Sequence, residues 1–66
     1  MTVTVNGESR EIVPGTTVSG LLEGLGLHPR LIVVEHNREI LDRTSFDATE
    51  VRPGDTIELV HFVGGG

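Results

Sequence analysis

Thr17-Val18-Ser19-Gly20-Leu21-Leu22-Glu23-Gly24-Leu25-Gly26 is the segment on which the fold turns. Val18, Leu21, Leu22 and Leu25 fall at i, i+3, i+4 and i+7, which makes one apolar stripe of an α-helix. Thr16 or Thr17 offers a hydroxyl to accept from the first free amides. Gly26 stands where a left-handed C-terminal cap belongs, and Pro29 stops the helix from resuming. Gly20 and Gly24 each cost about 1 kcal/mol relative to alanine, and no acidic residue at the third helical position completes a capping box. The helix must therefore be held by packing, and the rest of the chain has to supply the surface.

That surface reads as a sheet. Upstream, Thr2-Val3-Thr4-Val5 alternates polar and apolar, the period of a half-covered strand. Asn6-Gly7 accepts the positive φ angles of a two-residue hairpin turn. A second strand from about Glu8 to Val13 returns from it, and Pro14-Gly15 ends it. Downstream, Leu31-Ile32-Val33-Val34 is expected to be a central strand, covered on one face and flanked on both sides. Asn37-Arg38 reads as a turn into a short strand at Glu39 to Leu41. Asp42 to Val51 reads as irregular, anchored by Phe46. Arg52-Pro53-Gly54-Asp55 forms a turn, and Thr56 to Val63 is the last strand. A helix between strands two and three crosses the sheet and is expected to set strand three parallel to strand one. The predicted class is α+β: a β-grasp with a mixed four- to five-stranded sheet and one main helix packed across it. Residues 1–63 form the domain, and 64–66 are expected to be a flexible glycine tail.

Size and charge narrow the function. A chain of 66 residues is one small domain, burying only about 60% of the surface its unfolded form exposes. Substrate pockets of roughly 300–1,000 Å³ would consume such a core, which argues for a protein acted upon by others rather than an enzyme. Ten acidic residues against five basic ones leave a net charge of −5, unsuited to nucleic acid or anionic membranes and suited to partners with basic docking faces. All five cations are arginine, so no lysine amine is available for self-conjugation. Cysteine is absent, which removes disulfides, thiolate metal sites and cysteine nucleophiles. The apolar N-terminal stretch is too short for a signal peptide, and nothing approaches the roughly 20 apolar residues of a membrane span. The expected address is the cytoplasm.

The side chains by themselves suggest no catalysis. His28, His36 and His61 are scattered at spacings unlike those of metal ligands, and no metal is expected. The carboxylates read as a solvated acidic surface. No glycine-rich phosphate loop follows a strand, and the residues for a nucleophile–base pair are missing. What remains is the end of the chain. With Ile57 and Leu59 facing the core, alternation puts Glu58, Val60 and Phe62 on the other face. Val60 and Phe62 are then exposed apolar neighbours, a docking patch beside the tail. Gly64-Gly65-Gly66 is thin and conformationally free, able to thread a narrow tunnel in a partner and present its terminal carboxylate there. A glycine run alone is more often a frayed end or a linker.

Val5-Asn6-Gly7-Glu8 after a short strand, Thr17-Val18 opening a Leu-Leu helix, the Arg52-Pro53-Gly54-Asp55 turn and the ending Val60-His61-Phe62-Val63-Gly64-Gly65-Gly66 together resemble the ThiS family. These are the sulfur carriers of thiamine biosynthesis, and the resemblance spans the whole chain. It implies a ubiquitin-like β-grasp fold. It implies that an ATP-dependent, E1-like (ThiF-type) adenylyltransferase activates Gly66. A cysteine desulfurase system then supplies sulfur for a thiocarboxylate there, and a ThiG-type thiazole synthase takes that sulfur. By position, Gly66 is the adenylation and thiocarboxylate site, and Gly64 and Gly65 belong to the threading tail. Phe62 and Val63 fall in the partner-docking segment, with Val60 beside them. No cofactor is bound by the carrier, since the ATP is used by the adenylyltransferase. Two positions depart from the pattern: Gly20 in the helix, which bears on stability, and Gly64, which lengthens the tail but leaves the terminal pair intact.

Four other roles share this tail, one of them that of a carrier for another sulfur-containing metabolite, whose partner choice is written in surface contacts. A molybdopterin-synthase small subunit has the same fold and terminal Gly-Gly, but this chain is short for it and its His-Phe-Val approach fits the thiamine carrier better. A protein modifier would form isopeptide bonds through Gly66. A non-covalent β-grasp module would leave the tail idle.

Overall fold

The computed structural model describes residues 1–62. Six elements follow one another: β1 (Thr2–Val5), β2 (Glu8–Glu11), α1 (Val18–Gly24), β3 (Ile32–His36), β4 (Glu39–Ile40) and β5 (Thr56–His61). Tight helical turns at Pro29–Leu31 and Arg43–Ser45 interrupt the connections. The sheet has the order β2-β1-β5-β3-β4. β1 and β5 run parallel, and all other neighbours run antiparallel.

The helix forms as its stripe requires. Thr17 is the cap, accepting from the Gly20 amide at 3.1 Å. At the other end the Gly26 amide donates to the Glu23 carbonyl (3.0 Å) and the Leu27 amide to the Leu22 carbonyl (2.9 Å). Gly26 sits at φ +72°. This double closure satisfies two free carbonyls and turns the chain away. Val18, Leu21 and Leu22 are buried against Val3 and Val5 of β1, Ile32 and Val34 of β3, and Ile57 of β5. Phe46 and Val51, from the connection before β5, close the core. That connection also caps the helix from outside: the Val18 amide donates to the Thr49 carbonyl (2.9 Å) and the Ser19 amide to the Phe46 carbonyl (3.1 Å). Two of the first-turn donors that a helix cannot pair within itself are thus paired by tertiary contacts.

Both hairpins turn on residues with positive φ. Asn6 and Gly7 lie at 49° and 81°, and Asn37 and Arg38 at 51° and 71°. These are the angles of tight two-residue turns, and only Arg38 pays the full steric cost of a side chain there.

Several boundaries are shorter than the sequence predicts. β2 ends at Glu11 rather than Val13, because β1 has no residues left to pair with; Ile12 exchanges a last pair of bonds with Met1, and Val13 is 74% exposed. Leu31 belongs to the tight turn started by Pro29, not to β3. β4 stops at Ile40, although the Leu41 amide still reaches the Val34 carbonyl at 2.9 Å. β5 ends at His61, with the Phe62 amide bonded to the Leu31 carbonyl at 3.1 Å. Val63, at the end of the predicted last strand, and the tail at 64–66 lie outside the described residues.

One expectation is overturned. β3 does not lie parallel to β1. β5 stands between them, parallel to β1 and antiparallel to β3, so β3 runs opposite to β1. The final strand, not the one after the helix, completes the parallel crossover with β1. β3 is flanked on both sides, by β4 and β5, as its β-branched run suggests.

Candidate functional site

β5 is the strand that leads to the tail, and the fold holds it from several directions. Five residue pairs join it to β3, from Ile32↔His61 to His36↔Ile57. On its other side Thr56 and Ile57 pair with Thr4 and Val5 of β1. Where β1 ends, the Asn6 side chain continues the ladder by accepting from the Leu59 amide at 2.7 Å.

The start of β5 is fixed by a polar cluster built on Asp55. This residue is only 8% exposed. Its carboxylate accepts from the Arg52 amide (2.9 Å) and from Asn37 Nδ2 (3.1 Å), and pairs with His36 Nε2 (2.7 Å). Burial pushes the Asp55 carboxyl up. The hydrogen bonds from His36, the Arg52 amide and Asn37, with the charge on His36, outweigh it and hold the group below the usual carboxylate range. Asn37 also clasps Thr56: its amide donates to the Thr56 carbonyl (2.8 Å), and its Oδ1 accepts from the Thr56 amide (2.9 Å). The β3–β4 turn and the Arg52–Asp55 turn are thereby locked together, which sets the register of β5. His36 and Asp55 are 19 residues apart, so sequence spacing shows neither as a partner. The only hint is an aspartate closing a Pro-Gly turn.

Strand alternation then decides what β5 presents. Ile57 is fully buried and Leu59 half-buried, while Val60 is 59% and Phe62 41% exposed. Phe62 is not folded under a loop. The two residues read from the sequence as a docking pair lie on the open face of the sheet. The structure adds three apolar residues there. Val33 lies directly opposite Val60, Leu31 is joined to Phe62 through its carbonyl, and Ile40 stands on the neighbouring strand opposite Glu35. Leu31, Val33 and Ile40 are exposed. The alternation along Leu31-Ile32-Val33-Val34 held the signal: Ile32 and Val34 are buried, while Leu31 and Val33 are exposed.

Elsewhere the described residues carry little that resembles catalysis. Among them no three His, Asp or Glu side chains come together in a way that could hold a metal ion. An open depression of about 510 Å³ between α1 and the following turns is lined by Ser19, Glu23, Leu27, His28 and Asp47. The Ser19 hydroxyl is already committed to the Asp47 carboxylate. No helix is long and apolar enough to cross a membrane among these residues. The predicted site residues Val63, Gly64, Gly65 and Gly66 lie outside the described part.

Known proteins share this arrangement. The crystal structure of the thiamine biosynthesis protein ThiS from Geobacter metallireducens superposes with a TM-score of 0.86 at 39% identity, over the full length of both chains. The sulfur carrier protein ThiS of Bacillus subtilis is 40% identical over 50 residues, 76% of each chain. A thiazole synthase of Magnetococcus marinus is 42% identical over all 66 residues, and the chain spans about a fifth of that protein's length (20%). The sequence profile of the ThiS family matches residues 3–66. With a five-stranded β-grasp sheet, an exposed apolar strand end and a match that runs through the final glycine, this chain belongs to the ThiS family.

Proposed function

We propose that the chain is a ubiquitin-like sulfur carrier for thiazole formation in thiamine biosynthesis, working in the cytoplasm through the carboxylate of Gly66. The observation that carries this reading is the placement of β5: it is locked at the centre of the sheet and leaves through Val60 and Phe62 on an open apolar face toward the glycine tail. A free carboxylate is a poor electrophile. An E1-like adenylyltransferase would transfer AMP from ATP to Gly66, releasing pyrophosphate. A persulfide sulfur, supplied by a cysteine desulfurase system, would then attack the carbonyl carbon and expel AMP, and a thiol of the sulfur-donating system would cleave the new S–S bond, leaving the thiocarboxylate on the carrier and a disulfide on the donor. The resulting thiocarboxylate holds its sulfur on a chain that, lacking cysteine, has no thiol side chain to compete for it. The occurrence of a closely similar segment within thiazole synthases supports a thiazole synthase as the acceptor. The carrier itself contributes recognition and delivery and turns over no substrate.

The test is to incubate the protein with ATP, a ThiF-type adenylyltransferase and a sulfur source, then to measure its intact mass. Replacement of one oxygen by sulfur is expected at Gly66. Oxidation of Met1 adds nearly the same mass, so the product is mapped by C-terminal fragmentation and thiol-selective alkylation. An unmodified terminus, with the same enzymes active on another carrier, would refute the reading.

A further inference from the structure

Glu35 and Glu58 face each other directly across β3 and β5. Both lie on the open face, one pair further along the sheet from Val33 and Val60. Like charges directly opposite in an antiparallel ladder destabilise it. Neither glutamate is in an ion pair: the two ion pairs among the described residues are Met1 with Glu11 and His36 with Asp55. The open face therefore reads, along β3 and β5, as Leu31 beside Phe62, Val33 opposite Val60, then Glu35 opposite Glu58.

We propose that Glu35 and Glu58 act together as an acidic clamp for an arginine side chain of the adenylyltransferase that receives the tail, whose apolar surface seats on Leu31, Val33, Val60 and Phe62. The occupant follows from three observations. β5 ends on this face, with Phe62 bonded to Leu31, and residues 64–66 follow Phe62 by only two to four positions in the sequence, so a protein holding them has to stand close to its apolar end. The net charge of −5 draws a basic docking face toward the chain. Cross-strand neighbours have Cβ atoms about 4.5–5.5 Å apart, close enough for two flexible carboxylates to converge on one planar guanidinium, which offers hydrogen-bond donors along more than one edge. Two like-charged neighbours in the free chain share one counter-charge in the complex. The pair also rejects partners that bring an acidic or purely apolar surface.

The inference rests on the carrier reading, and one assay separates the two. ATP–pyrophosphate exchange by a ThiF-type adenylyltransferase is measured against carrier concentration for the wild type, E35Q/E58Q, and E8Q/E23Q as an equal-charge control away from the face. For E35Q/E58Q the KM should rise about tenfold at low salt with kcat nearly unchanged, and its salt dependence should flatten. E8Q/E23Q should keep the wild-type KM. Far-UV circular dichroism should show E35Q/E58Q folded and at least as stable as the wild type, because the repulsion is gone. An unchanged KM for E35Q/E58Q, or an equal rise in the control, overturns the clamp and leaves the carrier reading standing. A wild type that supports no exchange overturns both.

Discussion

Replacing Asp55 by alanine is the sharpest test of how the tail-bearing strand is held. The Asp55 carboxylate accepts from the Arg52 amide and Asn37 Nδ2 and pairs with His36 Nε2, at 2.7 to 3.1 Å. Bonds to a charged group contribute about 1.5–3 kcal/mol each in mutational series. The sum overstates the loss, because Arg52 is exposed and His36 and Asn37 are within reach of water that can replace the acceptor. Removing the carboxylate also relieves its own burial cost. A net loss of about 2–3 kcal/mol remains, a large share of the stability of so small a domain. The pH dependence has a definite sign. The Asp55 carboxyl is held below its usual range in the folded state, so its contribution is full above the unfolded value of about 3.9 and disappears as pH falls through the lower folded value. The gap between wild type and Asp55→Ala should therefore be present at neutral pH and close below about pH 4. Urea unfolding followed by far-UV circular dichroism is the assay, since the chain has no Trp or Tyr and only two Phe. A gap below about 0.5 kcal/mol at neutral pH, the range of ordinary surface substitutions, or one that persists unchanged into acid, would refute the account.

Other outcomes follow from the same structure. Ile57→Ala, at a fully buried position of β5, should cost about 2–5 kcal/mol; a loss under 1 kcal/mol in urea titration would mean the core is not where it is drawn. Arg38→Gly should stabilise by about 0.5 kcal/mol, since Arg38 sits at φ 71° in a turn that favours Asn-Gly; a lower urea midpoint would contradict this. Deleting Gly66 should abolish sulfur incorporation in the mass assay while leaving the unfolding midpoint in place, because among the described residues every buried apolar one lies between Val3 and Ile57. A truncated chain that still supports thiazole formation would sink the proposed chemistry.

Local patterns were sufficient for much of this molecule. The spacing of Val18, Leu21, Leu22 and Leu25, with Thr17 before it and Gly26 after it, defined α1 and both of its ends, because helix periodicity and cap chemistry act within a few residues. Asn6-Gly7 and Asn37-Arg38 marked the hairpins, and the alternation of β5 put Val60 and Phe62 on the exposed face. Phe46 stood out as the one large apolar residue in a polar stretch and is buried. Strand neighbours were another matter. A two-residue period tells which face a side chain takes, but it carries no information about which strand lies alongside, so the insertion of β5 between β1 and β3 had to come from the closing of the whole sheet. The same limit hid the His36–Asp55 pair and the opposition of Glu35 and Glu58, whose members meet only once β3 and β5 are in register. By itself the sequence determined the helix, the turns, the faces of the strands and the family. The tertiary structure alone decided which strand occupies the centre and which distant charges meet there, because those depend on long-range pairing that no local period encodes.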